Sequence, residues 1–173
     1  MSRAPRIAII GAAVAVTTAA ATTAGAATAS SRLLAFKTVT HGTVPFNLPS
    51  APSRDASAIV VNNVVEAPGQ GTDVNFRKYF AVYATIMRPT SGYSLTIRRV
   101  LLQRFGSYRQ ICAIAVIGRP NGAVEQVKSM SAHYVKIQRG RLGLNVPDHI
   151  VLREQRAGVL SATPGSRTAA CRG

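Results

Sequence analysis

Catalysis needs acids, bases, nucleophiles or metal ligands at workable spacing, and this chain offers few of them. His41, His133 and His149 lie far apart and share no ligand spacing with cysteine or acid. The acids number six: Asp55, Glu66, Asp73, Glu125, Asp148 and Glu154. They are scattered and make no general acid/base pair. A Gly-x-Ser-x-Gly elbow is absent, and Cys112 has apolar rather than electropositive neighbours, so no activated nucleophile stands out. Gly69-Gln-Gly71 is followed by neither a lysine nor a helix start and reads as loop, not as a phosphate cradle. The chain reads as a non-enzyme, with no cofactor, no metal and no small-molecule substrate expected.

What the sequence does offer is a shaped turn. Arg88-Pro89-Thr90-Ser91-Gly92-Tyr93 stands between two alternating apolar runs, Tyr79 to Met87 and Tyr93 to Ile97. Proline fixes φ and glycine permits positive φ, so Pro-Thr-Ser-Gly predicts a tight connection with Gly92 at its left-handed corner. Both flanking runs have the strand period of two. The expected unit is a β-hairpin presenting residues 88–93 as a partner-binding loop. In the alternative, Pro89 to Tyr93 only makes the turn and Tyr93 packs inward.

Further extended runs surround this unit. Leu33 to Val39, Ala58 to Val65, Arg109 to Gly118, His133 to Ile137 and His149 to Arg153 all read as strands. Ile111 to Ile117 is apolar on both faces, as a central covered strand should be. Arg98-Arg99 interrupts the alternation of the run that begins at Tyr93 and suggests a bulge or a strand leaving the core. Seven short strands, no convincing amphipathic helix and no internal repeat predict a mainly β domain. An antiparallel β-sandwich or a partly open barrel, with at most one short helix, fits equally.

The first 29 residues read as an export signal: Arg3 and Arg6, an apolar core from Ile7 to Val16, then Ala-x-Ala patterns ending at Ala29. An uncleaved anchor is the alternative. Residues 30–160 form the expected domain and 161–173 a flexible tail. Cleavage leaves 144 residues (173 − 29) and a formal charge of +13, the chain's +15 less Arg3 and Arg6. So cationic a surface attracts anionic polymers weakly, but arginine outnumbers lysine 17 to 4 without interleaved aromatics, and specific nucleic-acid binding is not expected. An even cysteine count in an exported chain suggests a Cys112–Cys171 disulfide closing 59 residues (171 − 112). Otherwise Cys112 is a small buried hydrophobe and Cys171 a free thiol.

Residues 73–137 resemble the PrcB C-terminal domain family, named for the accessory subunit of a secreted bacterial protease complex. The match is carried by Asp73-Val-Asn-Phe76, by Arg88-Pro-Thr-Ser-Gly-Tyr-Ser-Leu-Thr-Ile97, and by the order Pro120, Gln126, Val135-Lys136-Ile137. Departures are the lack of Trp, Ile86 where Gly is usual, and Ser131-Ala132 where Pro and an aromatic are common. The resemblance implies a secreted or envelope-associated, non-catalytic protein that binds an exported protease or another secreted protein. The same Pro-Thr-x-Gly-Tyr string is also similar to one loop of chagasin-like cysteine peptidase inhibitors, which are immunoglobulin-like sandwiches. Their Gly-rich second loop and Arg-Pro-aromatic third loop are not evident here, since Asn121 follows Arg119-Pro120. A cationic envelope-associated module is the third reading.

Overall fold

Ile111 to Ile117 lies at the middle of the molecule because a strand apolar on both faces is stable only when both are covered. A computed structural model describes residues 30–44, 56–64 and 74–172. Its strands are β1 (Ser30–Leu34), β2 (Phe36–Val44), β3 (Ala56–Val61), β4 (Tyr79–Arg88), β5 (Ser94–Phe105), β6 (Tyr108–Gly118), β7 (Ser129–Gln138), β8 (Ile150–Glu154) and β9 (Gly158–Ala162). Two short 3-10 turns, Gly140–Leu142 and Thr168–Ala170, complete the described elements. Strands pair in two sheets, ordered β1-β5-β6-β8-β9 and β2-β7-β4-β3. The protein is mainly β, and the two sheets stack as a sandwich. Every pairing is antiparallel except β6 with β8.

The core fills the space between the sheets. From one side come Leu95, Ile97, Val100, Ile111, Ala113, Ala115, Ile150 and Leu152; from the other come Phe80, Val82, Ala84, Ile86, Val135 and Ile137. Alternate residues on each strand meet there, as the period of two requires. Burying a side chain such as Phe80 or Ile86, both fully inaccessible, stabilises by about 1.5–3 kcal/mol.

Several expectations are corrected. β4 and β5 do not form a hairpin: β4 pairs with β3 and β7, β5 with β1 and β6, so residues 89–93 arch from one sheet to the other. A tight turn signal specifies a change of direction, while long-range burial selects the partner. The Leu33 to Val39 run divides at Ala35 into β1 and β2, which belong to different sheets. The expected strand from Ala58 is β3, which starts two residues earlier and stops at Val61. β9 was not expected, because Gly-Val-Leu-Ser-Ala is short and half-exposed. The bulge is present: pairing of β5 with β6 shifts between Ile97 and Arg99. The proposed signal segment lies outside the described residues.

Residues 161–172 are not a free tail. Ser161 and Ala162 complete β9, and Cys171, fully buried, is bonded to Cys112 with Cα atoms 5.6 Å apart. The covalent tie carries the C-terminus across the outer face of the five-stranded sheet, over Leu101, Ile114 and Val151. Polar groups then fix the path. Gln103 Nε2 donates to the Ala170 carbonyl at 2.6 Å, and Gln110 Nε2 donates to the Arg167 carbonyl at 3.0 Å. The Arg167 N–H donates to Gln110 Oε1 at 2.8 Å. Small polar composition misled here because these bonds come from residues 57 to 67 positions away.

Candidate binding site

The sheet-to-sheet arch contains all six residues expected to bind a partner. Pro89 and Gly92 are exposed; Arg88, Thr90, Ser91 and Tyr93 are half-buried. Three hydrogen bonds hold the arch. The Ser91 N–H donates to the Glu125 carbonyl at 3.1 Å, Ser129 Oγ to the Thr90 carbonyl at 2.9 Å, and Ser131 Oγ to the Tyr93 carbonyl at 2.5 Å. The Arg88 guanidinium lies 5.9 Å from the centre of the Tyr93 ring, within cation–π range. Gly92 has φ +82°, and a Cβ there would approach Pro120 Cβ to 2.8 Å. Glycine is therefore required both by backbone conformation and by the neighbour.

These contacts give two of the sequence's departures from the PrcB pattern a physical role. Ser131 supplies the hydroxyl that ties down Tyr93, which proline could not do. Ile86 is fully buried in the core just before the arch. Neither Ser129 nor Glu125 was singled out from sequence, because their role depends on β7 returning beside β4. Residues 88–93 include no carboxylate, imidazole or thiol.

A second cluster joins the sheets beside the bulge. His41 on β2 and His133 on β7 are register partners with ring centroids 4.8 Å apart. The Ile97 N–H on β5 donates to His133 Nδ1 at 2.7 Å, so Nδ1 holds a lone pair and the proton resides on Nε2. Nε2 then donates to Thr38 Oγ1 at 3.0 Å. His41 Nε2 meets Thr96 Oγ1 at 3.0 Å. Burial, then the positive potential of His41 and Arg98, lowers the His133 pKa from 6.5 to about 4. Its ring is a neutral staple between sheets at physiological pH. His149 lies elsewhere, 5.1 Å from the Tyr108 ring.

Arg139 is a third buried polar centre. Its Nε donates to the Phe76 and Tyr79 carbonyls, both at 2.9 Å, Nη1 to Gly143 at 3.2 Å and Nη2 to Asn62 at 2.8 Å. One guanidinium thus gathers the end of β3, the approach to β4 and the exit from β7. Burial lowers its pKa. On the outer face of the smaller sheet, Tyr83 and Tyr134 meet edge to face at 5.8 Å. Burial raises both phenol pKa values, that of Tyr134 to about 12.

Among the described residues, no group of three or more His, Cys, Asp or Glu comes together that could hold a metal ion. Of the acids, Asp55, Glu66 and Asp73 lie outside the described residues, Glu125 flanks the arch, and Glu154 lines a cleft beyond β8 with Arg119 and Arg156. The chain matches no family model, no curated protein and no solved structure.

Proposed function

We propose that the protein is a secreted, non-catalytic binding module of the PrcB type, which engages an exported protease or another secreted protein through residues 88–93. The observation that carries this reading is the combination of exposure and restraint at the arch. Pro89 and Gly92 face solvent, while three hydrogen bonds and the Gly92–Pro120 contact fix their backbone. A surface ordered before binding loses less conformational entropy on association, which favours recognition by a short loop. Arg88 and Tyr93 supply the side-chain types that most often anchor interfaces. Affinity capture from the culture supernatant of its own host tests the idea. Recovery of a peptidase by wild type but not by Arg88→Ala/Tyr93→Ala supports it; recovery of none removes it.

The clustering of segments at one end of the sandwich favours a second reading as a peptidase inhibitor. The arch abuts Pro120, and Arg119 shares a cleft with the 155–157 turn, so three connections are available to enter a partner's groove together. Titration against a papain-type enzyme separates the readings. Lack of inhibition at micromolar excess excludes this one.

A further inference from the structure

We infer that the protein has a second binding groove, separate from the arch, which takes an extended acidic peptide on the free edge of β6. In a parallel ladder, alternate residues of one strand direct both backbone groups to the same neighbour. Here the odd-numbered residues of β6 face β8. The Ile111 N–H donates to the His149 carbonyl at 2.8 Å, and the Ala115 carbonyl accepts from the Gln155 N–H at 2.9 Å. The ladder ends there, because β8 stops at Glu154 and the chain turns away at Gln155, whereas β6 continues to Gly118. The next odd residue, Ile117, is in register with Leu95 on β5 but lies past the last β8 partner, and no backbone bond joins it to residues 155–157.

That gap is a cleft of about 560 Å³ lined by Val116, Ile117, Arg119, Glu154 and Arg156, with Gln155 and Ala157. The three β6 positions past the last β8 partner, residues 116–118, span about 10 Å on that side, room for a short extended segment at about 3.3 Å per residue. Adding a strand to such an edge is a recurrent mode of peptide recognition. The charge identifies the ligand's chemistry. Arg119 and Arg156 are exposed and form no ion pair with a carboxylate among the described residues. Two arginines against one glutamate leave the cleft cationic, and the planar guanidinium matches a carboxylate. A peptide lying on Ile117 therefore presents a carboxylate between Arg119 and Arg156. The carboxylate is either the chain end or an acidic side chain.

Four peptides test this with the ¹⁵N-labelled protein. They are acetyl-Thr-Val-Thr-Val with a free carboxylate, the same peptide as its amide, acetyl-Thr-Val-Asp-Val-amide, and the first peptide N-methylated at its third residue. The expected result is a chemical-shift change and slowed exchange of the Ile117 amide with a carboxylate-bearing peptide. The uncharged amide should bind about tenfold more weakly. Arg119→Ala and Arg156→Ala should each weaken binding about fivefold or more, and Glu154→Gln should strengthen it. A preference between the free-carboxylate and aspartate peptides tells which source the groove reads, and either preference upholds it. No response at Ile117 to either, equal binding of the N-methylated peptide, or the same shifts from inorganic polyphosphate would overturn it.

Discussion

Acidification should loosen the joint between the two sheets through a single side chain. His133 is 3% exposed and accepts the Ile97 N–H at Nδ1. It is faced by Thr38 and His41 from β2 and by Ile97 and Arg98 from β5, and is in register with Ala84 on β4. Protonation places a second N–H opposite the Ile97 donor and adds positive charge beside Arg98. The folded pKa of about 4 lies below the ordinary 6.5, so the unfolded chain binds the proton more readily. The contribution of His133 to stability is therefore fully present above pH 6.5, declines as the pH falls towards 4, and is lost below that. The interval corresponds to about 3 kcal/mol at about 1.4 kcal/mol per tenfold. His41 is exposed and admits solvent to the pair, which reduces the expected effect to about 2 kcal/mol. Urea unfolding of wild type and His133→Gln across pH 7.5 to 4 measures it. The variant should be less stable at neutral pH by about 1–3 kcal/mol, from disturbed pairing of the Ile97 N–H. It should also lack the wild-type slope between pH 6.5 and 4. Parallel pH profiles for the two proteins would refute the reasoning.

Three other perturbations act on separate parts of the fold. Replacing both cysteines by alanine should lower the unfolding free energy measured in urea, by up to about 4 kcal/mol in the loop-entropy account of a 59-residue closure; a change below about 1 kcal/mol would contradict it. Gly92→Ala should destabilise by about 1–3 kcal/mol, since its φ of +82° and the Pro120 contact both resist a side chain, read as a lower thermal midpoint. Arg139→Met should cost about 3 kcal/mol or more in urea unfolding, because four carbonyls lose their donor; Arg139→Lys should recover only part, lacking the guanidinium fork.

The strands were legible wherever local pattern and burial agree. Ile111 to Ile117 reads as a two-sided core strand and is buried on both faces from Ile111 to Ala115, and Arg98-Arg99 reads as a bulge and is one. Partner choice was not legible. Tyr79 to Met87 and Tyr93 to Ile97 flank a strong turn yet enter different sheets, because pairing is settled by faces contributed from β7 and β6 far along the chain. The arch residues were found from proline and glycine chemistry alone. Their restraints were not, since Ser129, Ser131 and the Glu125 carbonyl act 34 to 39 positions away: Ser91 to Glu125 spans 34 and Thr90 to Ser129 spans 39. The cleft beside Ile117 has no sequence signal at all. It arises from one strand outrunning its neighbour.

The central claim is that a fixed, exposed arch recognises a secreted partner. Its most direct test is quantitative binding of the captured peptidase to wild type and to Arg88→Ala/Tyr93→Ala, with urea unfolding measured on both. The account predicts a loss of affinity of at least tenfold in the variant with unfolding little changed. Equal affinity of the two proteins for the same peptidase would contradict it.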